Sequence, residues 1–332
     1  MQLVLNTMGL SLKVKNGLFR VSAEEQVRDI SPAQVSSIAI TSPCLLSSAA
    51  VRLAAESEIP IYFFDRYGDA DACLRSPYFE SLATLRRKQV YFSDRAEGAA
   101  WVIRQFELKT EGQVSNLKMM ADRLSSARKL LSGTMKTLEE AVTGLTDRFV
   151  RVPDDEWSSE IMGWEGHQAK LYWQAIGGSL PEEWQFNGRS RRPALDAYNS
   201  LTNYFYGMLY ALTEQALFAA GLDPHLGILH ADEYDRPTLA YDLIEPFRPW
   251  VDRFILHQIL REDLLPYEIV VPKEEGFWLS RAAKKELIPA FNSWMLQPVR
   301  WNGRQMSRRA QMHRAAGELA RFIDQSMQRP NA

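Results

Sequence analysis

The sequence predicts an α+β protein with a small N-terminal β-sheet domain, residues 1–80, followed by a larger all-α-helical domain, residues 81–328. The first part carries short apolar runs separated by turn residues, which is typical of strands. The second part carries long segments with apolar residues at helical spacing and few Gly or Pro residues. A length of 332 residues also allows one large domain, but the change in pattern favours two. Residues 329–332 are predicted to form a flexible tail.

The clearest signal in the first domain is a two-residue β-hairpin. Residues 11–15 and 18–21 read as strands on either side of Asn16 and Gly17. An Asn-Gly pair supplies the positive φ angles that a type I′ turn requires. Two more strands and one helix with a Ser47 cap are predicted in this domain, over residues 35–40, 59–64 and 47–58.

The second domain reads as a series of helices with few interruptions. Gly112 is a candidate break in the long segment 88–145. Pro246 lacks the amide that would bond to the carbonyl of Asp242, so a helix there is predicted to kink or end near Glu245. Further helices are predicted over residues 157–176 and 195–220 and from Leu239 onward, the last capped by Thr238.

Composition indicates a globular protein of a reducing compartment. Hydrophobic residues make up 46% and charged residues 24%, which excludes a disordered or collagenous chain. Cys44 and Cys73 are too few for a disulfide scaffold and form no C-x-x-C pair for structural zinc. The first residues lack the features of a signal peptide, and no apolar run reaches eighteen residues. We therefore expect a soluble protein of a reducing cytoplasm.

Net charge argues against a generic nucleic-acid-binding protein. The formal charge is −2 and the pI is near 6.3, whereas phosphate binding needs concentrated Lys and Arg. DNA contacts would have to come from local basic patches, although each patch alone is typical of a solvated surface. The candidate patches are Arg86 to Lys88, Arg189 to Arg192, and Arg300, Arg304, Arg308, Arg309 and Arg314.

Glu165 is the first candidate for chemistry. On a helix it shares a face with Ile161, Ala169 and Trp173, so an acid lies on an otherwise apolar stripe. Burial of an unpaired carboxylate is expensive. Glu165 must therefore meet a cation, a hydrogen-bond donor or a metal, unless this face is exposed.

A second candidate group consists of His230, Asp242 and Glu245. The two acids stand at i and i+3, a spacing that lets both point at one ion from the same helical face. Because like charges at this spacing repel, a divalent cation or Arg248 one turn later would stabilise them. Each residue alone is compatible with a structural or surface role, but their combination favours a site.

The donor types favour Mg²⁺ or Mn²⁺. Carboxylate oxygens with one imidazole suit these ions better than zinc, which prefers Cys or several His residues. A rival zinc pair would be His225 and His230. Pro224 and Gly227 disfavour it, because they break the helix on which a regular His spacing depends.

These segments resemble the CRISPR-associated endonuclease and integrase family of spacer acquisition. The likeness is specific over residues 157–250 and elsewhere rests on the layout of a β domain before a helical domain. One family pattern is a Glu within G-x-E-G-x-x-A-x-x-Y, and a later one is a His followed by R-x-[ST]-L and D-L-x-E-x-F-R-P. The matching residues are Gly163, Glu165, Gly166, Ala169, Tyr172, His230, Arg236, Thr238, Leu239, Asp242, Leu243, Glu245, Phe247, Arg248 and Pro249.

The resemblance implies a metal-dependent DNA endonuclease and integrase that inserts captured fragments as new spacers into a CRISPR array. One Mg²⁺ or Mn²⁺ ion would bind to Glu165, His230 and Glu245, with Asp242 as a fourth catalytic residue. His230 could instead protonate the leaving oxygen, and the sequence does not choose. The expected partners are DNA, a second copy of the chain and the smaller universal CRISPR-associated protein. The expected DNA-binding residues are Arg189, Arg191, Arg192, Tyr206 and Arg248.

Three other functions remain open at this point. The first is a metal-dependent nuclease or phosphodiesterase that acts on RNA or damaged DNA and does not join strands. The second is a helical scaffold without catalysis, which the presence of all four candidate catalytic residues disfavours. The third is a zinc hydrolase.

Overall fold

The computed structural model divides the chain into two compact units. Within the described residues, one unit comprises residues 1–80 with 284–296, and the other comprises residues 81–283 with 297–332. The predicted domain boundary at residue 80 and the predicted tail lie outside the described residues. The residues that the structure describes are 2–23, 26–35, 37–57, 59–64, 70–74, 83–230, 236–261, 265–301 and 304–326.

The N-terminal part of the first unit contains two four-stranded sheets and the helix α1 (Ser48–Glu56). Its strands are β1 (Gln2–Leu5), β2 (Ser11–Lys15), β3 (Leu18–Ala23), β4 (Gln26–Ile30), β5 (Ser37–Ile40), β6 (Leu45–Leu46), β7 (Ile61–Phe64) and β8 (Ala70–Leu74). One sheet has the order β1-β5-β7-β8 and the other has the order β4-β3-β2-β6. A shared apolar core that includes Leu5, Leu12 and Phe19, all fully buried, holds the sheets together.

Local turn and cap chemistry forms as predicted in this unit. Asn16 and Gly17 have φ values of 50° and 73°, and β2 and β3 pair in antiparallel register from Lys15 to Leu18. The Ser47 hydroxyl accepts a hydrogen bond from the amide of Ala50 at 3.1 Å and caps α1. The predicted hairpin and helix cap are confirmed.

The remaining helices account for most of the second unit. They are α2 (Ala83–Phe92), α3 (Ala96–Arg123), α4 (Arg128–Val142), α5 (Leu145–Phe149), α6 (Asp155–Gly177), α7 (Ala197–Ala219), α8 (Thr238–Leu243), α9 (Arg248–Arg261), α10 (Pro266–Ile269), α11 (Arg281–Leu296) and α12 (Arg308–Ser326). Residues 284–296 of α11 group with the first unit. Across the part of the chain that the structure describes, no helix has both the length and the apolarity of a membrane span.

Two short β-hairpins correct the prediction that this part of the chain is entirely helical. They are β9 (Val270–Lys273) with β10 (Gly276–Leu279), and β11 (Pro298–Trp301) with β12 (Arg304–Ser307). At the first hairpin Gly276 has a φ of 116°, a conformation that favours glycine. The β-branched pair Val270 and Val271 before that turn supports a strand over a helix.

The predicted break at Gly112 is wrong, because α3 runs through this residue without interruption. A Cβ atom at Gly112 would lie 2.8 Å from both Cβ and Cγ of Pro249. Glycine is therefore needed for close approach of α3 to the start of α9. This approach brings the middle of α3 beside the segment that carries Glu245 and Arg248.

The helix that begins near residue 238 ends where Pro246 predicts. α8 stops at Leu243, residues Glu245–Phe247 form a 3₁₀ turn, and α9 follows. Thr238 does not cap α8 as predicted, because its hydroxyl donates instead to the carbonyl of His225 at 2.8 Å. The change from α-helix to 3₁₀ turn places Asp242 and Glu245 on different elements.

Candidate functional site

A buried lysine joins two of the predicted catalytic acids. The ammonium group of Lys109 on α3 contacts Glu165 Oε1 on α6 and lies 2.6 Å from Glu245 Oε2 in the 3₁₀ turn. The exposed fractions of the three side chains are 10% for Lys109, 28% for Glu165 and 7% for Glu245. Three separate elements thus bring two distant acids to one cation, and that cation was not among the predicted site residues.

Glu245 lies between two cations. Arg248 Nε donates a hydrogen bond to Glu245 Oε1 at 2.8 Å, and another guanidinium nitrogen of Arg248 donates to the Tyr210 hydroxyl at 2.6 Å. Burial alone would raise the pKa of Glu245, but Arg248 and then Lys109 lower that pKa to about 2. Glu245 is therefore ionised at neutral pH.

The second carboxylate oxygen of Glu245 interacts with the charged ammonium group of Lys109. Glu245 Oε2 is buried and accepts no hydrogen bond of ordinary geometry, although the Lys109 ammonium lies close to it. Burial lowers the pKa of Lys109, while the charges of Glu245 and Glu165 raise it by more, so the net shift is upward. Lys109 therefore carries a full positive charge between the two acids.

Asp242 holds the segment that carries His230. Its side chain, 1% exposed, accepts hydrogen bonds from the backbone amides of Ile228 at 2.7 Å, Leu229 at 3.1 Å and His230 at 3.3 Å. Its Oδ1 also lies 2.6 Å from Nδ1 of the His230 ring. Because a carboxylate only accepts, Nδ1 carries the proton and Nε2 is left to face a substrate or an ion.

Asp242 and Glu245 have different partners in the structure. Their i, i+3 spacing would let both point at one ion, but Asp242 contacts the 228–230 segment, whereas Glu245 contacts Lys109 and Arg248. Asp242 is therefore a positioning residue for His230. Burial lowers the pKa of His230, but the hydrogen bond and the charge of Asp242 outweigh it and raise that pKa.

A polar cluster lies in the core beneath this site. The buried carboxylate of Asp252 accepts hydrogen bonds from the hydroxyls of Tyr206 at 2.8 Å and Tyr172 at 3.1 Å. Asn116 of α3 donates to the Tyr172 oxygen at 3.0 Å and to the carbonyl of Pro249 at 2.9 Å. Burial raises the pKa of Asp252 to about 6 despite the two tyrosine hydrogen bonds.

The raised pKa of Asp252 predicts a pH-dependent loss of stability. Between about pH 4 and 6 the folded state binds the Asp252 proton more tightly than the unfolded state, so the free energy of unfolding falls as pH rises. The fall attributable to Asp252 is roughly 3 kcal/mol. We expect Asp252→Asn to remove this component, measured by denaturant unfolding of both proteins at pH 4.5 and pH 7. The exposed Asp122→Asn is the control, and equal pH dependence of all three proteins would contradict the prediction.

The predicted DNA-binding residues divide into interior and exposed groups. Tyr206 is 7% exposed and donates a hydrogen bond to Asp252, so in this structure its hydroxyl is directed into the core. Arg189 is partly buried, donates to Asn199 and Asn203, and lies 5.6 Å from the Tyr206 ring centroid. Arg248 faces inward, whereas Arg191 and Arg192 are exposed.

Several residues of the other candidate basic patches form contacts inside the protein. Lys88 forms an ion pair with Asp324 at 2.6 Å, Arg314 pairs with Glu318 at 2.7 Å, and Arg308 is buried. Burial lowers the pKa of Arg308 to about 10, with a smaller contribution from Arg253. Lys88 and Arg314 are thus paired with acids of α12, and Arg308 lies inside the fold, so these three residues do not form one exposed basic patch.

The possible metal ligands can be compared by how close their donor groups lie to one another. Among the residues that the structure describes, no three His, Cys, Asp or Glu side chains form a group that could hold a metal ion as they stand. Glu165 and Glu245 do converge, but on Lys109. The carboxylate oxygens of both residues, and the buried Glu245 Oε2 that accepts no hydrogen bond of ordinary geometry, still fit a hard divalent cation.

Comparison with known proteins decides the family. The model of the family "CRISPR associated protein Cas1" matches residues 3–293. A CRISPR-associated endonuclease Cas1 of Pyrobaculum aerophilum is 34% identical over 305 residues, 90% of this chain and 92% of the relative. This chain belongs to the Cas1 family. It is thus a member of a family of CRISPR-associated endonucleases, and the resemblance inferred from its motifs is confirmed.

Solved structures agree on the fold of this Cas1-family chain. A casposase bound to an integration product has a TM-score of 0.78 at 21% identity, covering 99% of this chain and 92% of the casposase. A Cas6-RT-Cas1–Cas2 complex has a TM-score of 0.79 at 20% identity and covers 98% of this chain, but only 35% of that longer chain. The predicted α+β class is confirmed, with strands first and a mainly helical remainder.

Lys109 and Asp252 are the site residues of this Cas1-family chain that sequence reasoning missed. A signal for Lys109 exists in α3, whose buried positions include Gln105, Lys109 and Gln113, each four residues apart. A polar stripe on a buried helical face indicates partners inside the fold. Asp252 lies among buried apolar residues of α9. An acid on an apolar helical face, as at Glu165, indicates a buried polar partner.

Proposed function

We propose that this chain is a divalent-metal-dependent DNA endonuclease and integrase that inserts captured DNA fragments as new spacers into a CRISPR array. Membership of the Cas1 family supports the proposal, and the observation that carries it is the convergence of Glu165 and Glu245 on one cation position. Two carboxyl groups from separate elements are costly to bring together without a cation between them. The likeness in fold to a casposase bound to an integration product favours strand joining over hydrolysis alone.

Glu165, His230 and Glu245 would hold the ion, Mg²⁺ or Mn²⁺. When bound, the ion lowers the pKa of the attacking hydroxyl and neutralises charge on the phosphoryl oxygens. Asp242 fixes the His230 ring so that Nε2 points away from the carboxylate, as in carboxylate–histidine–metal arrangements. Nε2 either binds the ion or gives a proton to the leaving oxygen.

The chemical step is transesterification at a phosphodiester. The 3′ hydroxyl of the captured fragment loses its proton to solvent water, and its oxygen forms a new bond to phosphorus. The bond from phosphorus to the 3′ oxygen of the repeat strand breaks, and that oxygen takes up a proton. Arg248 neutralises Glu245 and is held by Tyr210, so it keeps this acid in place throughout the step. Hydrolysis follows the same course with water as the nucleophile.

The net charge of the chain is −2, so DNA would bind to a few exposed arginine side chains and not to a broadly basic surface. Arg191 and Arg192 are exposed and just precede α7, which carries Tyr206 and Tyr210 beside Arg248. They are the residues we propose as phosphate contacts. Arg189 and Arg248 do not contact DNA in this proposal; their guanidinium groups hold neighbouring side chains of the site in place from inside the fold.

We also propose a homodimer that assembles with the smaller universal CRISPR-associated protein in a prokaryotic cytoplasm. The likeness to a chain of a Cas6-RT-Cas1–Cas2 complex supports the smaller protein as a partner. Mass photometry of the chain alone and mixed with that protein tests both parts. A monomer that does not bind the smaller protein would contradict them.

The decisive assay combines the purified chain with its smaller partner, a labelled DNA fragment with free 3′ hydroxyls and a supercoiled plasmid carrying repeats. We expect label to enter the plasmid with Mn²⁺ or Mg²⁺ and not with chelator. A fragment that ends in a 3′ dideoxynucleotide is the matched control and should not be joined. Cleavage without joined product would identify a nuclease that does not integrate, and activity that persists with chelator would exclude a metal-dependent reaction.

A further inference from the structure

Lys109 places a positive charge where the two acids of the candidate metal site meet. Its ammonium nitrogen contacts Glu165 and lies 2.6 Å from Glu245 Oε2, and its side chain is 10% exposed. A divalent ion needs the same carboxylate oxygens at roughly 2.0–2.6 Å. An ammonium group and a divalent ion cannot both occupy this position.

We propose that Lys109 is the resident counter-cation of the metal-free site and that a divalent ion binds by displacing its ammonium group from Glu165 and Glu245. The inference rests on the proposed function, since it takes these two acids as ligands. It goes further, because it assigns a role to a residue outside the ligand set.

The neighbouring contacts favour Lys109 over Arg248 as the group that moves. Arg248 is fixed at both ends of its guanidinium, by Glu245 at 2.8 Å and by the Tyr210 hydroxyl at 2.6 Å. A lysine bears a compact charge on a flexible four-carbon stem, so its ammonium can turn away while the stem stays packed. Glu165, 28% exposed, marks the side on which an ion reaches the acids from solvent.

The role of the ammonium in the metal-free state follows from charge. Without Lys109, Glu165 and Glu245 would repel each other, and Glu245 would retain only Arg248. A buried carboxylate that loses one of its cationic partners is less stable in the fold. Lys109 thus keeps the acids in place before an ion arrives, and every ion that binds has to compete with it.

The test compares Mn²⁺ binding by the wild-type protein, Lys109→Met and Lys118→Met, measured by titration calorimetry on metal-free protein. Lys118 is the matched control, an exposed lysine on the same helix. We expect Lys109→Met to bind Mn²⁺ at least about tenfold more tightly than the wild-type protein, because no ammonium group has to be displaced. Lys118→Met should match wild type. We also expect metal-free Lys109→Met to unfold at a lower temperature than wild type and to recover with Mn²⁺.

The outcomes separate this inference from the proposed function. If wild type binds Mn²⁺ and joins DNA while folded Lys109→Met binds no more tightly, the inference is overturned and the proposed function stands. If neither protein binds Mn²⁺, both are overturned.

A measurement on wild type decides the matter even where Lys109→Met does not fold. Lysine acylation by an N-hydroxysuccinimide ester, read by peptide mass spectrometry, should rise several-fold at Lys109 with saturating Mn²⁺. Acylation of Lys118 should not change. Equal acylation of Lys109 with and without Mn²⁺ would overturn the inference.

Discussion

Glu165→Gln is expected to lower the rate of DNA joining by at least about 100-fold while the fold is retained. Glutamine has the size of glutamate but no charge, so it weakens both ion binding and the alignment of the reacting phosphate. The partly exposed side chain makes few packing contacts to lose, and Lys109 keeps Glu245 as its partner. The rate is measured as label joined to plasmid at saturating Mn²⁺.

Glu160→Gln is the matched control for this prediction. Glu160 lies on the same helix α6, and its ion pair with Arg151 is exposed on both sides, with 39% and 42% of the side chains accessible. Such pairs contribute little to stability. We expect wild-type joining from this variant and similar thermal transitions for both. A Glu165→Gln protein that joins DNA within a few-fold of wild type would refute the assigned role.

Asp242→Ala is expected to destabilise the helical unit by roughly 3–5 kcal/mol, the largest stability effect among the site residues. The change leaves the amides of Ile228, Leu229 and His230 without their acceptor and removes the partner of the His230 ring. Each donor then bears its desolvation cost alone. The effect is measured as the shift of the unfolding transition in denaturant, followed by tryptophan fluorescence.

Asp122→Ala serves as the control for Asp242→Ala, since Asp122 is an exposed residue near the end of α3. Its stability should change by less than about 0.5 kcal/mol. Asp242→Asn retains one acceptor oxygen and is expected to fall between Asp242→Ala and wild type. If Asp242→Ala is no less stable than Asp122→Ala, the hydrogen bonds of this carboxylate do not hold the 228–230 segment.

Local chemistry explains which parts of the fold the sequence predicts. The Asn16-Gly17 hairpin, the Ser47 cap and the end of α8 before Pro246 depend on residues adjacent in the chain, and all three form as predicted. The break predicted at Gly112 was wrong because a glycine is needed there for the close approach of Pro249, which lies far along the sequence. Both C-terminal hairpins were missed because their strands are short and lie between helices.

The site shows the same division between local and long-range information. Motif positions pointed to Glu165, His230 and Glu245, and the structure brings Glu165 and Glu245 together at one ammonium. Helical spacing did not predict that Asp242 and Glu245 lie on different elements, because the chain changes to a 3₁₀ turn before Glu245. Lys109 could not be found by motif, because a lysine on a helix usually lies in solvent. The polar stripe of α3 indicates a buried partner for Lys109, and packing of α3 against α6 and the 3₁₀ turn shows which residues that partner involves.

The central claim is that Glu165, His230 and Glu245 bind one divalent ion. Crystals grown with Mn²⁺ and measured for anomalous scattering at the manganese edge test it most directly. We predict one peak with Glu165 and Glu245 oxygens and His230 Nε2 at roughly 2.0–2.6 Å, and the Lys109 ammonium moved away. A fully loaded protein whose manganese lies elsewhere, or in which Lys109 still bridges the two acids, would contradict the account.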